Sequence, residues 1–541
     1  MKKFIVIFFL INIFSYANYL ISNSEIVLFY DKTYNNIQYI RGDVFNNIAI
    51  SEIEGNLIVD KKQVIPLDNF IQSAELIPQT NILKLHYDIQ GKKITLDLVP
   101  SMVEKDKLYI LVDTSLLGMD NHNIDFAFRI VPQYDNKYVE LLKDGSYKYD
   151  KFYFKSENYD GEIYIGRNSK LDDFTLEYVK EKAKKYEDDN MYYIINDVKK
   201  DKNIIFSVKF YDRYGERESL KSSDEVLARE LGYWNNINSE ERFLGKSDTV
   251  LGELKNLEII TSRAVIPDQI SLNKSKENLD NKMKLFYINS ILNKKFNPEK
   301  LLEDINIRKK DSEAVLYYTL LFKSLNNTGN YLDKTLFDRK VSLEVLSLLD
   351  YVEEIDGEII NVRDNISNYS WYFRMIDNIV NRDDFKSDKD FIIEKRDLLY
   401  KYVGNYYVLP DGLKTRRDDK KSYYKNIKYM GFMPKEYQLK ILHQDYNRYY
   451  NKMYGLLIGP EDKEKADLEY NLNFIIKLYE NGEVQLADRL FANIEELIRK
   501  NNQFLLPRVK PDGYNPVGIY GEMLYLYFTA LDCKERYSNG N

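Results

Sequence analysis

Hydrophobic and polar residues alternate with a period of two from residue 18 to about residue 215. In the segment ILKLHYDI the apolar positions are Leu83, Leu85, Tyr87 and Ile89, and polar residues separate them. The same alternation recurs in KITLDLV, DFAFRIV and NIIFSVKFYD. Because a strand places successive side chains on opposite faces, the pattern predicts strands with one buried face. Turn sequences such as DIQGKK and KDGSYK lie between them, and we expect an antiparallel β-sandwich.

Beyond Ser222 the apolar residues recur every three or four positions, which is the period of an amphipathic helix. Segments such as MKLFYINSILNKK, SEAVLYYTLLFKSL and QLADRLFANIEELIRK carry this stripe. The last such segment is predicted to place Ile519, Met523, Leu526 and Ala530 on one face. About twelve helical segments follow residue 249, which indicates a toroid of helical hairpins or a solenoid. No repeat of fixed length is present, and this argues against a simple solenoid.

The chain is too long for one ordinary hydrophobic core, so these patterns are divided among several units. We expect a signal peptide at residues 1–17, a β-sandwich domain at 18–221, a linker helix at 222–248 and a helical toroid at 249–541. The first unit has Lys2 and Lys3 before an apolar run and small residues at Ser15 and Ala17, which is typical of a secretory signal. Cleavage after Ala17 would leave the mature protein in an extracytoplasmic space, periplasmic or secreted. No later run is apolar enough to predict a membrane span.

Composition and motifs exclude several classes of function. The net charge of −7, without a long Lys/Arg run, argues against a nucleic-acid partner. His86, His122 and His443 are scattered without partners at ligand spacing, so we expect no metal. The chain has no phosphate-binding glycine loop and no Gly-x-Ser-x-Gly elbow, and Cys533 has no nearby His in the sequence. No cofactor is predicted.

Carboxylates and aromatic rings remain as the abundant chemical groups. Glycoside hydrolysis uses one acid and one base or nucleophile across a sugar bond, and both are drawn from Asp and Glu. The 47 Tyr include rings that could stack on the apolar face of a pyranose. An oligosaccharide or polysaccharide is therefore the predicted partner.

The order of these units resembles the bacterial glucoamylase and glucodextranase group of glycoside hydrolase family 15. The linker carries an aromatic pair at Tyr233 and Trp234, and LGELKNLEIITSRAVIPDQIS resembles the first toroid helix of the family and its following loop. The last seventy residues or so resemble the family's closing segment, with two helices, a Leu-Pro loop and a final helix. The resemblance implies a β-sandwich followed by an (α/α)6 toroid. It also implies secretion and inverting hydrolysis of α-glucosidic bonds in an α-glucan.

The catalytic motifs depart from the family pattern. The family places its general base as a Glu after Leu-Pro, whereas Leu506-Pro507 is followed here by Arg508, which stays protonated and cannot accept a proton. The family's general acid lies in a Trp-Glu-Glu-Arg motif. In the corresponding stretch here, VLPDGLKTRRDDKKSYYKN, the Glu pair is replaced by Arg416-Arg417, or by Asp418-Asp419 if the alignment is shifted by two residues.

If hydrolysis is retained, the acid would be Asp418 or Asp419, and the base a carboxylate elsewhere, such as Asp512 or Glu522. The catalytic candidates are therefore Asp418, Asp419 and Glu522. The candidates for substrate binding are Trp371, Tyr372, Tyr424, Arg508, Asp512 and Tyr520. Each group also has a structural interpretation: the acidic pair as a solvated loop, Asp512 as a turn residue, Glu522 as a helix-terminus carboxylate, and Trp371 with Tyr372 as core. Two other functions stay open. One is an inactive relative that binds glycan, and the other is a structural role in the cell envelope.

Overall fold

The computed structural model of the chain describes a β part followed by a helical part. The described residues are 19–210 with short internal gaps, 222–238, 250, 269–271, 276, 280–292, 311–329, 337–501 with short internal gaps, 508–509 and 518–538. The predicted signal peptide, Asp512 and the Leu506-Pro507 dipeptide lie outside them.

The β part consists of two antiparallel sheets. Its strands are β1 Tyr19–Ser22, β2 Val27–Asp31, β3 Asn36–Arg41, β4 Ile50–Val59, β5 Gln63–Pro66, β6 Ile71–Leu76, β7 Leu83–Ile89, β8 Lys92–Pro100, β9 Lys107–Asp113, β10 Ile124–Pro132, β11 Tyr138–Leu141, β12 Tyr147–Tyr149, β13 Phe152–Ser156, β14 Gly161–Gly166, β15 Glu177–Tyr178, β16 Lys182–Lys184, β17 Asn190–Ile195 and β18 Ile204–Phe210. One sheet has the order β1-β2-β3-β4-β10-β17-β14-β15, with β5 also paired to β4. The other has the order β16-β11-β12-β13-β18-β9-β8-β7-β6.

The two sheets pack face to face as a sandwich. Phe128 of β10 stacks on Phe206 of β18, with ring centroids 4.2 Å apart, and these strands belong to different sheets. Burial alternates along β7 as the sequence predicted, with Leu83 and Leu85 buried and Lys84 half-buried. The inner residues of both sheets form one apolar core.

The first two strands are buried on both faces. Tyr19 and Ile21 belong to the sandwich core, while Leu20, Val27 and Phe29 belong to the apolar core of the helical part. The segment IVLFY, Ile26 to Tyr30, is a continuous apolar run for this reason, since neither face of the strand meets water. The sandwich and the helices therefore share a packed interface.

The helical part begins with a helix that docks on the sandwich. The α-helices are α1 Ser223–Asn238, α2 Asp280–Ile291, α3 Asp311–Thr328, α4 Ser342–Asp350, α5 Ile366–Ile379, α6 Lys389–Tyr406, α7 Lys435–Tyr449, α8 Leu468–Glu480, α9 Val484–Asn501 and α10 Gly521–Ser538. A 3₁₀ segment spans Tyr424–Phe432, a second spans Asp383–Asp388, and a π turn spans Phe337–Val341. Short two-stranded ribbons occur at 353–360, 408–413 and 450–457, and 466–467 pairs with 508–509.

Six of these elements form a closed inner ring. In order they are α2, α3, α5, the Tyr424–Phe432 segment, α8 and α10; each packs against the next, and α10 packs back against α2. A ribbon between Gln269–Ser271 and Gly518–Tyr520 lies at the same closure. Helices α4, α6 and α9 come between ring members in the chain, and each packs against the ring. The fold is the predicted β-sandwich followed by an (α/α)6 toroid, and the closed ring excludes an open solenoid.

Local signals in the sequence explain where several ring helices begin and end. Asn365 accepts a hydrogen bond from the Ser367 amide at 2.8 Å and caps α5, and Asp467 accepts from the Tyr470 amide at 3.0 Å and caps α8. Gly482, at φ +86°, makes the turn after α8.

One helix boundary differs from the sequence prediction. Ile519 lies in the Gly518–Tyr520 strand, and α10 begins only at Gly521. The backbone there is held by pairing with 269–271, a long-range contact that periodicity cannot reveal. Among the described helices, none combines the length and the apolar content that a bilayer crossing requires.

Candidate functional site

A cavity of about 370 Å³ lies inside the inner ring. Its walls come from five ring elements: α3, α5, the Tyr424–Phe432 segment, α8 and α10. The aromatic lining residues are Trp371, Phe373, Tyr429, Phe432 and Tyr525. The charged lining residues are Lys323, Arg374, Asp377, Lys428, Lys477 and Glu480. The centre of the ring is therefore open, and its wall combines ring faces with charges.

Helix α5 contributes the largest share of this wall. Trp371, Arg374 and Asp377 follow one another at three-residue spacing and face the cavity, while Tyr372 and Ile376 lie in the core on the other side. The Arg374 guanidinium lies 5.2 Å from the centroid of the Trp371 ring. One helix thus presents an aromatic face, a cation and a carboxyl group to the same space.

Asp377 is the acidic group with a raised pKa in this wall. Burial raises the pKa of the Asp377 carboxyl to about 6, and the charges of Arg396 and Arg374 only partly oppose this. Solvent still reaches its side chain through the cavity. Asp377 is therefore mostly ionised at pH 7 and becomes neutral as the pH falls below about 6.

Glu480, at the end of α8, has the opposite electrostatic character. Lys477 Nζ lies 2.5 Å from Glu480 Oε2. Burial acts to raise the pKa of Glu480, but the Lys477 ammonium with its hydrogen bond, followed by Arg374 and Lys323, outweighs burial and holds that pKa below its usual value. Glu480 is therefore ionised at neutral pH.

The 3₁₀ segment places a further cation in the wall. Lys428 Nζ lies 2.9 Å from Glu469 Oε1, and the Lys428 carbonyl oxygen accepts a hydrogen bond from Arg374 Nη2 at 2.6 Å. These contacts tie the segment to α8 and α5. The irregular ring member is thus held in place by polar contacts as well as by its buried Ile427 and Met430.

Glu522, a predicted catalytic residue, lies at the first turn of α10 beside the cavity. Lys284 Nζ of α2 lies 2.5 Å from Glu522 Oε2. Burial acts to raise the pKa of Glu522, but Lys284 with its hydrogen bond outweighs it, aided by Lys428 and Arg374, and the pKa falls below its usual value. The helix-terminus interpretation thus describes its position, and the ion pair with α2 is an additional feature.

The other two catalytic candidates do not line the cavity. Asp419 Oδ2 accepts hydrogen bonds from the backbone amides of Thr415 and Arg416, at 3.2 and 2.7 Å, so its carboxylate organises the turn. Asp418 is exposed on the same turn. The pair follows the 408–413 ribbon, in a stretch that the sequence predicted as a loop. A catalytic role for either residue stays a prediction.

The aromatic candidates are divided among different places. Trp371 lines the cavity, whereas the Tyr372 side chain is 4 % exposed and belongs to the core. Tyr424 lines a separate pocket of about 20 Å³ and packs on Tyr470, with ring centroids 5.0 Å apart. Tyr520 is half-buried just before α10.

The Leu-Pro loop is represented only by its end. The backbone of Arg508 pairs with that of Asp467, the residue that caps α8. This places Arg508 at the N-terminal end of the inner ring.

Sequence reasoning missed Lys323, Arg374, Asp377, Lys477 and Glu480. A signal for them was present, because polar residues recur at helical spacing on helices whose other positions are buried, as at Asn473, Lys477 and Glu480 of α8. Such a polar stripe on a ring helix points to an interior that holds water or a ligand. Within the described part of the chain, no group of three or more His, Cys, Asp or Glu side chains is placed to hold a metal ion.

Comparison with solved structures supports the architecture. No protein-family profile matches the chain, and no curated protein matches it in sequence. A bacterial glucoamylase in complex with acarbose is similar over 97 % of this chain and 94 % of its own, with a TM-score of 0.63 and 11 % identity. This likeness shows a glycosidase-like fold.

Two further structures are more distant. The family GH92 inverting mannosidase from Bacteroides thetaiotaomicron is similar over 96 % of this chain and 82 % of its own, with a TM-score of 0.45 and 8 % identity. A putative kojibiose phosphorylase from the human microbiome is similar over 95 % of this chain and 86 % of its own, with a TM-score of 0.44 and 10 % identity.

Proposed function

We propose that this chain binds a saccharide in the cavity of its helical ring. The observation that carries the proposal is the cavity itself, a space of about 370 Å³ with aromatic rings and polar groups on a wall built by five elements of the ring. Ligand pockets of proteins commonly measure about 300–1,000 Å³. Trp371 offers a face for the apolar side of a sugar ring, and Asn378, Asn473 and Thr529 offer hydrogen-bonding groups for hydroxyls.

Hydrolysis in the same cavity is a second candidate function, favoured by the different pKa shifts of its carboxyl groups. An inverting glycosidase needs a proton donor with a raised pKa and an ionised base on the other side of the sugar bond. Asp377, with a pKa of about 6, has the property required of the donor. Glu480 and Glu522, with lowered pKa values, have the property required of the base. The α-glucan and the inverting course come from the family 15 resemblance and belong to this second candidate.

Titration of neutral and acidic oligosaccharides into the full chain, followed by calorimetry, tests binding. We expect Trp371→Ala to weaken the binding of any saccharide tenfold or more, because the indole ring on which the sugar stacks is lost. Tyr437→Ala is the matched control, because Tyr437 is 47 % exposed on the outer helix α7. Equal affinity of both variants would place the ligand outside the cavity.

Incubation with maltooligosaccharides, with reducing sugar and product anomer followed by NMR, tests hydrolysis. If the cavity is catalytic, Asp377→Asn and Glu480→Gln each lower the rate at least a hundredfold, whereas Asp418→Asn leaves it unchanged. If instead Asp418→Asn and Asp419→Asn abolish turnover, the site is the one that the sequence resemblance implied. Absence of turnover with intact binding leaves the chain as a binding protein on a glycosidase-like scaffold.

We also propose that residues 1–17 direct export and that the mature chain works outside the cytoplasm. The proposal rests on the basic start, the apolar run and the small residues before Ala17. N-terminal sequencing of the protein recovered from the periplasm or medium of an expressing bacterium tests it. A mature protein that retains Lys2 and Lys3 would contradict it. Limited proteolysis tests the predicted domain boundaries, in which the β-sandwich ends at residue 221, the linker helix spans 222–248 and the toroid begins at 249.

A further inference from the structure

Three cations at the cavity each have a carboxylate of their own. Lys477 pairs with Glu480 at 2.5 Å, Lys428 pairs with Glu469 at 2.9 Å, and beside the cavity Lys284 pairs with Glu522 at 2.5 Å. A cation engaged in this way has little charge left for a ligand, because its nearest counter-charge is already in contact.

Two other cations of the wall are not matched in this way. Within the described residues, neither Lys323 nor Arg374 has a carboxylate oxygen within the 4.0 Å of a salt bridge. Lys323 Nζ lies 4.3 Å from the centroid of the Tyr287 ring, and Arg374 lies over the Trp371 ring. The remaining acidic group of the wall is Asp377. The cavity therefore carries an excess of positive charge at and below neutral pH.

The position of Arg374 suits recognition of an acidic sugar. Its guanidinium adjoins the Trp371 ring, so a sugar on that ring would bring a substituent within reach of a planar donor group. Only one of its nitrogens, Nη2, has a hydrogen bond in the described part of the chain, to the Lys428 carbonyl. A guanidinium has five N–H donors, so donors remain for a ligand.

We propose that the saccharide bound in this cavity carries an acidic substituent, a carboxylate or a sulfate, held between Arg374 and Lys323. This inference rests on the proposed function. A neutral glycan would leave two half-buried cations facing its hydroxyls, whereas an acidic group supplies the counter-charge that the wall lacks. Charge-assisted hydrogen bonds would then fix the sugar's orientation on Trp371.

The first experiment is a glycan array that contains neutral, uronic and sulfated glycans, probed with the full mature chain. We expect binding to acidic glycans. Binding only to neutral glycans would overturn this inference and leave saccharide binding in place. Binding to no glycan would overturn the proposed function itself.

The second experiment compares ligands that differ only in charge. Tetragalacturonic acid is titrated beside its fully methyl-esterified form, and a sulfated carrageenan tetrasaccharide distinguishes sulfate from carboxylate. The chain has 2 Trp: Trp371 lines the cavity, and Trp234 is 1 % exposed in α1. A ligand-induced change in intrinsic fluorescence therefore reports on Trp371. We expect a change at Trp371 and at least tenfold tighter binding of an acidic form, which weakens severalfold between 50 and 500 mM salt. Equal affinity for acid and ester, insensitive to salt, would overturn the inference.

Variants assign the charge to named residues. We expect Arg374→Gln and Lys323→Gln each to lower the affinity for the acidic glycan about tenfold and to bring it towards that for the neutral form. Lys401→Gln, on the exposed face of α6, is the matched control and should change nothing. Since Arg374 also supports the Lys428 carbonyl, thermal unfolding checks its variant. Lys323→Gln and the salt dependence of the unmodified chain decide the outcome if that variant does not fold. Unchanged selectivity in Lys323→Gln, with unchanged salt dependence, would refute the assignment.

Discussion

Lys284 Nζ lies 2.5 Å from Glu522 Oε2, and this ion pair joins the first inner helix, α2, to the last, α10. The two helices close the ring, and their contact also includes the Tyr287 and Tyr525 rings, with centroids 5.5 Å apart. The Lys284 side chain is 11 % exposed and that of Glu522 is 38 % exposed. Lys284 is therefore largely removed from solvent, whereas Glu522 remains partly in contact with it.

We predict that this pair stabilises the ring in a pH-dependent way. The folded-state pKa of Glu522 is lowered, so its contribution is complete above the unfolded-state pKa and is lost as the pH falls through the folded value. Lys284→Met should lower the free energy of unfolding by about 1 kcal/mol at pH 7, because solvent screens the exposed carboxylate. Urea unfolding at pH 7 and pH 3 measures this. If Lys284→Met lowered the free energy of unfolding equally at both pH values, the electrostatic origin would be contradicted. In a Glu522→Gln background, the effect of Lys284→Met should no longer differ between pH 7 and pH 3.

We predict that acidic ligands bind more tightly as the pH falls past 6. Below that pH Asp377 becomes neutral and no longer repels an anionic sugar, while Arg374, Arg396 and Lys323 keep their charges. Affinity should rise severalfold between pH 7.5 and pH 5 for a sulfated ligand, whose own charge does not change in that range. Asp377→Asn should give the tighter affinity at both pH values. Glu394→Gln, on the exposed side of α6, should retain the pH dependence of the unmodified chain.

The docking of α1 on the sandwich gives a third prediction. Glu230 of α1 is 0 % exposed and accepts hydrogen bonds from Ser101 Oγ at 2.6 Å and from the Met102 amide at 2.8 Å. Glu230→Ala leaves both donors buried without an acceptor, and we expect a loss of about 3 kcal/mol. Denaturant unfolding followed by intrinsic tryptophan fluorescence measures this loss. Asn235→Ala, at an exposed position of the same helix, should have little effect, and similar losses for both would show that the helix rather than the contact matters.

Two glycines provide a matched test of the sandwich and the linker. A Cβ at Gly161 would lie 2.1 Å from Cε1 of Tyr193, a buried ring whose hydroxyl accepts a hydrogen bond from the Ser156 amide. Gly161→Ala should therefore destabilise the protein strongly, by 3 kcal/mol or more as an order of magnitude. Gly232→Ala in α1 meets no atom within 4 Å and should stabilise by up to about 1 kcal/mol through helix propensity. Thermal unfolding of both variants measures the contrast, and a tolerated Gly161→Ala would show that β14 can move away from Tyr193.

The sequence predicted the layers of this protein because each layer has its own period. Alternation at Leu83 and Leu85 marks β7, and the stripe through Leu490 and Ile494 marks α9. The ring itself required more than periodicity, since the contact between α2 and α10 joins distant parts of the chain. The resemblance to a glycosidase family supplied that information, and the ring closure agrees with it.

The cavity wall was not predicted because local patterns do not show which helix face meets the centre of a ring. Trp371 and Tyr372 are adjacent aromatics in one helix, yet the first lines the cavity and the second is core. Similarly, Asp418 and Asp419 are adjacent acids, and only the second binds backbone amides. Distinguishing such neighbours requires the packing of five ring elements, which no single segment encodes.

The pairing of 269–271 with 518–520, together with the contact of α10 with α2, leaves the helical part without an end from which a hairpin could be added or removed. A solenoid can lengthen by duplication of a terminal unit, because its last repeat contacts only one neighbour. In this protein every inner helix has two neighbours, so the number of hairpins is fixed by closure. Changes to the connecting segments and to the side chains that face the hollow leave this number of hairpins intact.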